Sequence, residues 1–154
     1  MLAQHEVCKR IKPVDLAPVL RVLDALEFAD SGGKCAWVTK PGSIAPEPLM
    51  DLVRDLGLGG KPARLFCRKL MPHQGIAPHV DDYEAAWKVG ALRRFHVPLT
   101  SHPDIKMRWP DDGVEQHLEP GYLWEVRFDR THEVVNDTEC SRVHIQIDQL
   151  NATI

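Results

Sequence analysis

Three residues of this 154-residue chain combine the side chains that bind a redox-active metal. His79 and Asp81 are separated by one residue, and His132 follows much later in the chain. Two imidazoles and one carboxylate are the ligand set of non-heme Fe(II) oxygenases. Because residues i and i+2 of an extended strand point to the same face, His79 and Asp81 can bind one ion while Val80 faces away. We therefore interpret the three residues as candidate ligands of a metal that keeps open coordination positions.

A second pattern occurs twice, as the tripeptides RFH and RVH. In a strand, each would place an arginine and a histidine on one face, Arg94 with His96 and Arg142 with His144. We expect these polar faces to line a cavity and the opposite apolar faces to pack under helices or a second sheet. Because burying an unpaired guanidinium is costly, two such arginines at one cavity predict an anion that meets them. A surface ion pair is the alternative for either arginine alone.

Other catalytic patterns are weaker. Glu125 and Glu133 are a possible acid/base pair for glycoside cleavage, but paired carboxylates are common on solvated strands. No serine has the Gly-x-Ser-x-Gly context of a serine hydrolase. The glycines at 57–60 follow a helical pattern instead of a strand, so they do not match a phosphate-binding loop.

Composition and charge are those of an ordinary globular domain. The net charge of −3 and the scattered lysines and arginines give no expectation of nucleic-acid or membrane binding. The four cysteines form no Cys-x-x-Cys pair, which favours reduced and mostly buried thiols. The N-terminus lacks a signal-peptide core, and no stretch has the length of a membrane span. We expect one cytoplasmic domain over residues 1–154.

The periodicity of apolar residues divides the chain in two. Up to about residue 60 it predicts a helix capped by Asp15, a short strand near 35–39, a Pro-rich loop at 41–48 and a helix over 47–56. From about 62 to 150 the period is two, and the predicted strands cover 64–70, 76–81, 94–100, 106–109, 114–118, 122–127, 131–136 and 142–150. This pattern indicates a mainly β sandwich or barrel, with two N-terminal helices bracing one sheet from outside.

Five segments from about residue 64 to 149 resemble, in order and spacing, the aspartyl/asparaginyl β-hydroxylase-like 2-oxoglutarate oxygenases. These segments are LMPHQGIAPHVD (70–81), RFHVPL (94–99), PGYLWE (120–125), HEVVN (132–136) and RVHIQID (142–148). The resemblance implies a double-stranded β-helix, the cupin-like jelly roll. It also implies that His79, Asp81 and His132 hold Fe(II), which 2-oxoglutarate chelates, and that Arg142 receives the distal carboxylate of this co-substrate by a bidentate contact.

The same resemblance assigns Arg94 and His96 to the co-substrate site, and strand parity adds His144. The implied reaction uses O2 and 2-oxoglutarate to hydroxylate an amino-acid side chain, in a peptidyl Asp or Asn or in a free amino acid such as proline. A carboxylate at Asp81 argues against halogenation, which needs that metal position open. Tyr122 departs from the family by replacing the usual glutamate after glycine, at a position we interpret as structural.

Substrate recognition is expected from the loop at 82–90, with Tyr83 and Trp87 as candidate contacts, and from the N-terminal helices and the loop at 41–48. Two alternatives stay open. One is a cupin metalloenzyme that does not use 2-oxoglutarate, and the other is a non-catalytic jelly-roll binding module. Retention of the full triad and both arginines favours the oxygenase over these two.

Overall fold

The computed structural model describes residues 1–25, 36–37, 47–81 and 92–154. These residues form ten β-strands, two α-helices and one 3-10 turn. In chain order the elements are β1 (Cys8–Pro13), α1 (Ala17–Leu23), β2 (Ala36–Trp37), α2 (Glu47–Asp55), β3 (Lys61–Leu70), β4 (Ile76–His79), β5 (Leu92–Thr100), β6 (Lys106–Trp109), the 3-10 turn (Pro110–Asp112), β7 (Val114–Gln116), β8 (Tyr122–Val126), β9 (His132–Val135) and β10 (Arg142–Leu150). The predicted contacts at 82–90, including Tyr83 and Trp87, and most of the loop at 41–48 lie outside the described residues.

Two antiparallel sheets make up the architecture. The larger sheet has the strand order β1-β8-β5-β10-β3-β2, and the smaller one has the order β4-β9-β6-β7. Apart from the β6–β7 hairpin, the neighbours in each sheet are far apart in sequence, as in a jelly roll, where the chain alternates between two layers. The mainly β, double-stranded β-helix fold predicted from the sequence is confirmed.

The two faces of β10 show how the larger sheet is buried on both sides. Val143, Ile145 and Ile147 are at most 3% exposed and belong to a core cluster that also contains Val19 of α1 and Leu49 of α2. The helices therefore brace the outer face of the larger sheet, as the sequence predicts. The opposite face of β10 carries the polar side chains and points toward the smaller sheet.

A second apolar cluster lies on the other side of the larger sheet. It includes Leu70, Met107, Trp109, Trp124 and Val134, and thus joins strands of both sheets. The Trp109 Nε1–H donates to the backbone carbonyl of Arg127 at 3.0 Å, which satisfies the polar atom of this buried ring. This cluster fixes the separation of the sheets beside the candidate site.

The sequence analysis did not predict β1, which precedes the first helix. This strand pairs with β8, with Arg10 opposite Trp124, and its register shifts between Arg10 and Lys12. The shift breaks the alternation that would reveal a strand, and an edge strand held by main-chain hydrogen bonds needs little apolar signal. The predicted cap, Asp15, lies one residue before the observed N-cap, Leu16. Its carboxylate accepts a hydrogen bond from the Ala17 N–H at 3.0 Å.

Two glycines in the left-handed backbone region end one helix and close one hairpin turn. Gly57 ends α2 with a φ of 60°, and Gly113 closes the turn of the β6–β7 hairpin with a φ of 64°. Of the three described thiols, all of them free, Cys67 is buried, Cys8 is intermediate and Cys140 is exposed, so burial is less general than predicted. None of the helices in the described ranges is long and apolar enough to cross a membrane.

Candidate metal centre

The three candidate ligands meet where β4 ends and β9 begins. His79 and His132 face each other in the register of this strand pair, with ring centroids 4.4 Å apart. Asp81 lies two residues beyond the end of β4, where its backbone N–H donates to the carbonyl of Phe128 at 3.2 Å. The i, i+2 parity therefore brings the side chains together as predicted, although the strand itself ends before Asp81.

The ligand atoms have the spacing that one metal ion requires. The Oδ1 atom of Asp81 lies 3.5 Å from Nε2 of His79, and its Oδ2 atom lies 3.5 Å from Nε2 of His132. One ligand atom from each residue falls within 4.8 Å of the other two. Adjacent ligands of an octahedral ion with bonds of about 2.1 Å are about 3 Å apart, so a small closure completes the site. The three residues could hold a metal ion.

Backbone carbonyls select the correct tautomer of both histidines. The Nδ1–H of His79 donates to the carbonyl of Ala77, and the Nδ1–H of His132 donates to that of Arg130, each at 2.8 Å. Each Nε2 therefore carries a lone pair directed at the Asp81 carboxylate. Hydrogen bonds of this kind orient metal-binding histidines and raise their basicity.

Arg94 connects the Asp81 carboxylate to the last strand. Its Nε and Nη2 donate to the two oxygens of Asp148 at 2.6 and 2.8 Å, and its Nη1 donates to Asp81. Gln146, with its amide oxygen turned toward Arg94, accepts hydrogen bonds from the same guanidinium. The central carbon of this guanidinium also lies 4.5 Å from the centroid of the Phe128 ring. Arg94 is 3% exposed and Asp148 is 1% exposed, so this ion pair is buried.

The pKa of Asp81 lies well below its ordinary value. Burial alone would raise that pKa, but the positive charge of Arg94 and the hydrogen bond that Arg94 donates to the carboxylate outweigh burial and lower it. The carboxylate is therefore ionised at neutral pH, which a metal ligand requires.

The contacts of Arg94 differ from the expectation that it faces an external anion. Asp148 and Asp81 are the anions that meet this guanidinium, and they belong to the protein. A contact between Arg94 and the co-substrate stays a prediction, while the observed contacts give Arg94 the task of positioning the Asp81 carboxylate.

Below the triad, a cavity of about 280 Å³ extends between the sheets to a polar floor. Arg142, His96 and His144 line this floor and are 3%, 5% and 2% exposed, so both repeated Arg/His faces point into one cavity as predicted. The apolar parts of the wall come from both sheets and include Phe66, Ile76, Met107 and Val134. The triad is the more exposed end of this cavity, since the side chains of His79 and Asp81 are 35% and 22% exposed.

The two floor histidines form a neutral pair. Their Nδ1 atoms are 3.2 Å apart, so one ring donates and the other accepts, whereas both Nε2 atoms are buried without a partner among the described residues. Burial lowers both pKa values well below the ordinary value, and the nearby charge of Arg142 lowers them further. One Nε2 is therefore a donor and the other an acceptor, and both are free to bind a ligand.

Arg142 is the buried cation of this cavity that lacks an acidic partner. Among the residues that the structure describes, no carboxylate forms an ion pair with Arg142. Burial, together with the charge of Arg68, lowers the pKa of Arg142 to about 9, still above neutral pH. A buried and charged guanidinium in this setting is a binding site for an anion.

The sequence analysis did not assign roles to four residues near this cavity. Arg64 and Arg68 line the cavity from β3, while Gln146 and Asp148 on β10 contact Arg94. The alternation of the strand RLFCR at 64–68 puts both arginines on one face, which could have revealed them. Nothing in the spacing alone pairs Asp148 with Arg94, because that contact depends on the register of β5 with β10.

Glu125 is unavailable as the glycosidase acid or base considered above. Arg93 donates to both of its oxygens, from Nε at 2.7 Å and from Nη2 at 2.8 Å, and the carboxylate is 3% exposed as part of this pair. A carboxylate held in this way is a structural partner of Arg93 and faces away from the cavity.

A jelly roll with a possible His-Asp-His metal site at one end of its cavity is an arrangement that suits a hydroxylase or oxygenase. The sequence model of the family described as aspartyl/asparaginyl beta-hydroxylase matches residues 43–151. The chain therefore belongs to the aspartyl/asparaginyl beta-hydroxylase family, as its motifs predict. No curated protein sequence matches the chain.

Solved structures share the fold at low sequence identity. A viral collagen prolyl hydroxylase from Paramecium bursaria Chlorella virus-1, solved as a 2OG complex, superposes with a TM-score of 0.62 and 10% identity, over 96% of this chain and 97% of that one. A prolyl-4-hydroxylase from Pseudomonas putida gives a TM-score of 0.53 and 21% identity over 93% and 91% of the two chains. The non-heme monooxygenase ThoJ, solved as a nickel complex, superposes with a TM-score of 0.56 and 18% identity, over 95% of this chain and 74% of that one. At these identities the likenesses establish the fold.

Proposed function

We propose that the protein is an Fe(II)- and 2-oxoglutarate-dependent dioxygenase that hydroxylates an amino-acid side chain. The observation that carries this proposal is that a His-Asp-His cluster and an unpaired buried arginine, Arg142, line the same cavity. A metal at one end and an anion site at the other suit a co-substrate with a chelating group and a distal carboxylate.

The donor set favours iron over other metals. Two imidazoles and one carboxylate on one side of the ion, with the remaining positions open, are typical of non-heme Fe(II) oxygenases. When bound, iron supplies the activation of O2 that couples decarboxylation of 2-oxoglutarate to succinate and CO2 with insertion of one oxygen atom into a substrate C–H bond. His79, Asp81 and His132 would hold the ion.

The remaining residues of the cavity would bind and orient the co-substrate. Arg142 offers a planar fork for its distal carboxylate, and the Nε2 atoms of His96 and His144 offer one donor and one acceptor beside it. Arg94 keeps the Asp81 carboxylate in place, and the apolar walls limit the access of water to the cavity.

An amino-acid side chain is the substrate class that we propose. The family is named for hydroxylation of aspartyl and asparaginyl residues, and two relatives of similar fold are prolyl hydroxylases. A peptidyl Asp or Asn and a free amino acid such as proline are therefore the first compounds to test.

Turnover of the co-substrate tests the proposal. We expect the Fe(II)-loaded protein to convert 2-oxoglutarate to succinate in air, with or without a substrate. We expect the rate to fall at least about 100-fold in His132→Ala, because loss of a group that only hydrogen-bonds to a metal ligand already costs about 10- to 100-fold in metal affinity or activity. Succinate is measured by mass spectrometry, and amino acids and Asp-, Asn- and Pro-containing peptides are screened for an added oxygen. His5→Ala is the matched control, since His5 is exposed and does not line the cavity. Equal rates for His132→Ala and His5→Ala would contradict the assignment.

A further inference from the structure

A second arginine stands beside Arg142 at the floor of the cavity. Arg68 lies on β3 directly opposite His144 of β10, and it lines the same cavity as Arg142. Because residues two apart on a strand share a face, His144 and Arg142 are neighbours on β10. Arg68 and Arg142 are therefore diagonal neighbours on adjacent strands, a separation that long side chains bridge easily.

One donor of the Arg68 guanidinium lacks an acceptor in the described part of the chain. Its Nε is buried and has no hydrogen-bond partner among the residues that the structure describes. Its guanidinium carbon lies 5.2 Å from the centroid of the Phe66 ring, which holds the group at the cavity wall. Since buried donors in folded proteins are nearly always paired, this one indicates a bound acceptor.

The charge balance at this end of the cavity supports the same conclusion. At the opposite end, two carboxylates of the described residues, Asp81 and Asp148, are both engaged by Arg94 and do not balance the floor cations. The charge of Arg68 contributes to the lowered pKa values of both Arg142 and His96, so the cations are close enough to repel each other. Two neighbouring guanidinium groups repel each other unless an anion lies between them.

We propose that Arg68 is the second cationic residue of the site for the distal carboxylate, and that it selects dicarboxylic over monocarboxylic 2-oxo acids. A carboxylate has about four lone-pair sites, so it can accept from guanidinium groups on two strands at once. The proposal rests on the proposed function, because it concerns the co-substrate of that reaction.

Glutarate, a dicarboxylate without a keto group, tests the anion site in the metal-free protein. The melting temperatures of wild type, Arg68→Met and Arg108→Met are compared with and without saturating glutarate. Arg108 is the matched control, because it forms an exposed ion pair with Glu115 on the β6–β7 hairpin. We expect the shift caused by glutarate to fall by more than half in Arg68→Met only.

The ligand-free proteins separate binding from a structural role. A residue that only stabilises the fold would lower the melting temperature when replaced. Removal of Arg68 instead relieves its repulsion of Arg142, so we expect Arg68→Met without ligand to melt at the same temperature as wild type or higher. Arg68→Lys, which keeps a charge but loses the fork, should retain an intermediate glutarate shift.

Selectivity is measured by anaerobic titration of the Fe(II)-loaded proteins, with the visible absorption of the metal chelate as the readout. Arg68→Met should raise the half-saturating concentration of 2-oxoglutarate at least about tenfold, the effect of losing one hydrogen bond to a charged group. The half-saturating concentration of 2-oxobutyrate, which has no distal carboxylate, should be the same in Arg68→Met and wild type.

The outcomes distinguish this inference from the proposed function. Equal glutarate shifts in wild type and Arg68→Met, with an unchanged half-saturation for 2-oxoglutarate, would overturn the role of Arg68 while the dioxygenase proposal stands. Failure of the wild type to form a chelate would contradict the dioxygenase proposal. The glutarate shifts would then still decide whether Arg68 binds a dicarboxylate.

Discussion

The two ends of the cavity differ in how their charges are balanced. At the triad, Arg94 is paired with Asp148 and Asp81, and the two metal-site histidines are held by backbone carbonyls. At the floor, Arg142 and Arg68 have no acidic partner in the described part of the chain, and two histidine Nε2 atoms are unpaired. At the triad end the protein itself supplies the anions that balance Arg94, whereas the cations of the floor require an external anion.

This difference shows which interactions serve stability and which serve binding. A paired and buried ion network holds its groups in place before any ligand arrives, so breaking it should destabilise the fold. Unpaired buried cations oppose folding and are retained for the anion that they bind. Replacements at the two ends should therefore have opposite effects on stability and affinity.

The largest effect on stability is expected at the triad end. Asp148→Asn leaves Arg94 buried with only part of its charge balanced, so we expect the metal-free protein to lose about 3 kcal/mol of its free energy of unfolding. Urea unfolding measures this loss. Glu119→Gln is the control, since its ion pair with Arg10 is exposed and contributes less than about 1 kcal/mol. Equal losses in the two variants would remove the distinction between the ends.

The floor should show the reverse behaviour. We expect Arg142→Met to weaken 2-oxoglutarate binding about 10- to 150-fold, from the loss of about 1.5–3 kcal/mol in hydrogen bonds to a charged group. Its stability without ligand should equal or exceed that of wild type, because a buried unpaired cation is removed. Calorimetric titration and thermal unfolding measure the two quantities. A less stable variant with unchanged affinity would show that Arg142 is structural.

The smallest effect is a pH dependence that comes from the floor histidines. Because burial lowers the folded pKa of His144, the unfolded chain, with a histidine pKa of about 6.5, binds more protons below that pH. Stability therefore falls as the pH falls below about 6.5, by up to ~1.4 kcal/mol per pH unit for each such histidine. The groups near this ring, namely His96, Arg68, Arg142 and His117, supply no negative charge to offset this.

Replacing His144 isolates its contribution. His144→Gln should reduce the slope of unfolding free energy against pH between pH 6 and 5 by up to ~1.4 kcal/mol per unit in the metal-free protein. His5→Gln, at an exposed position, should leave the slope as in wild type. The same slope in all three proteins would mean that His144 is protonated in the folded state.

Local parity predicted the faces of the strands and placed His79 with Asp81, whereas the family resemblance supplied the jelly roll and the assignment of His132 as the third ligand. The alternation of β5 and β10 identifies their polar and apolar faces, and His79 with Asp81 follows the same rule. The pairing of Arg94 with Asp148 was not accessible, since it depends on register between strands distant in sequence. Strand β1 was missed because its register shift and edge position remove the apolar alternation.

The most direct test of the account is an anaerobic titration of wild type and Arg142→Met with Fe(II) and 2-oxoglutarate. The account predicts a visible chelate band in the wild type that saturates at one iron and one 2-oxoglutarate per chain, and that requires at least about tenfold more 2-oxoglutarate in Arg142→Met. A protein that binds the metal but gives no band with 2-oxoglutarate would contradict it.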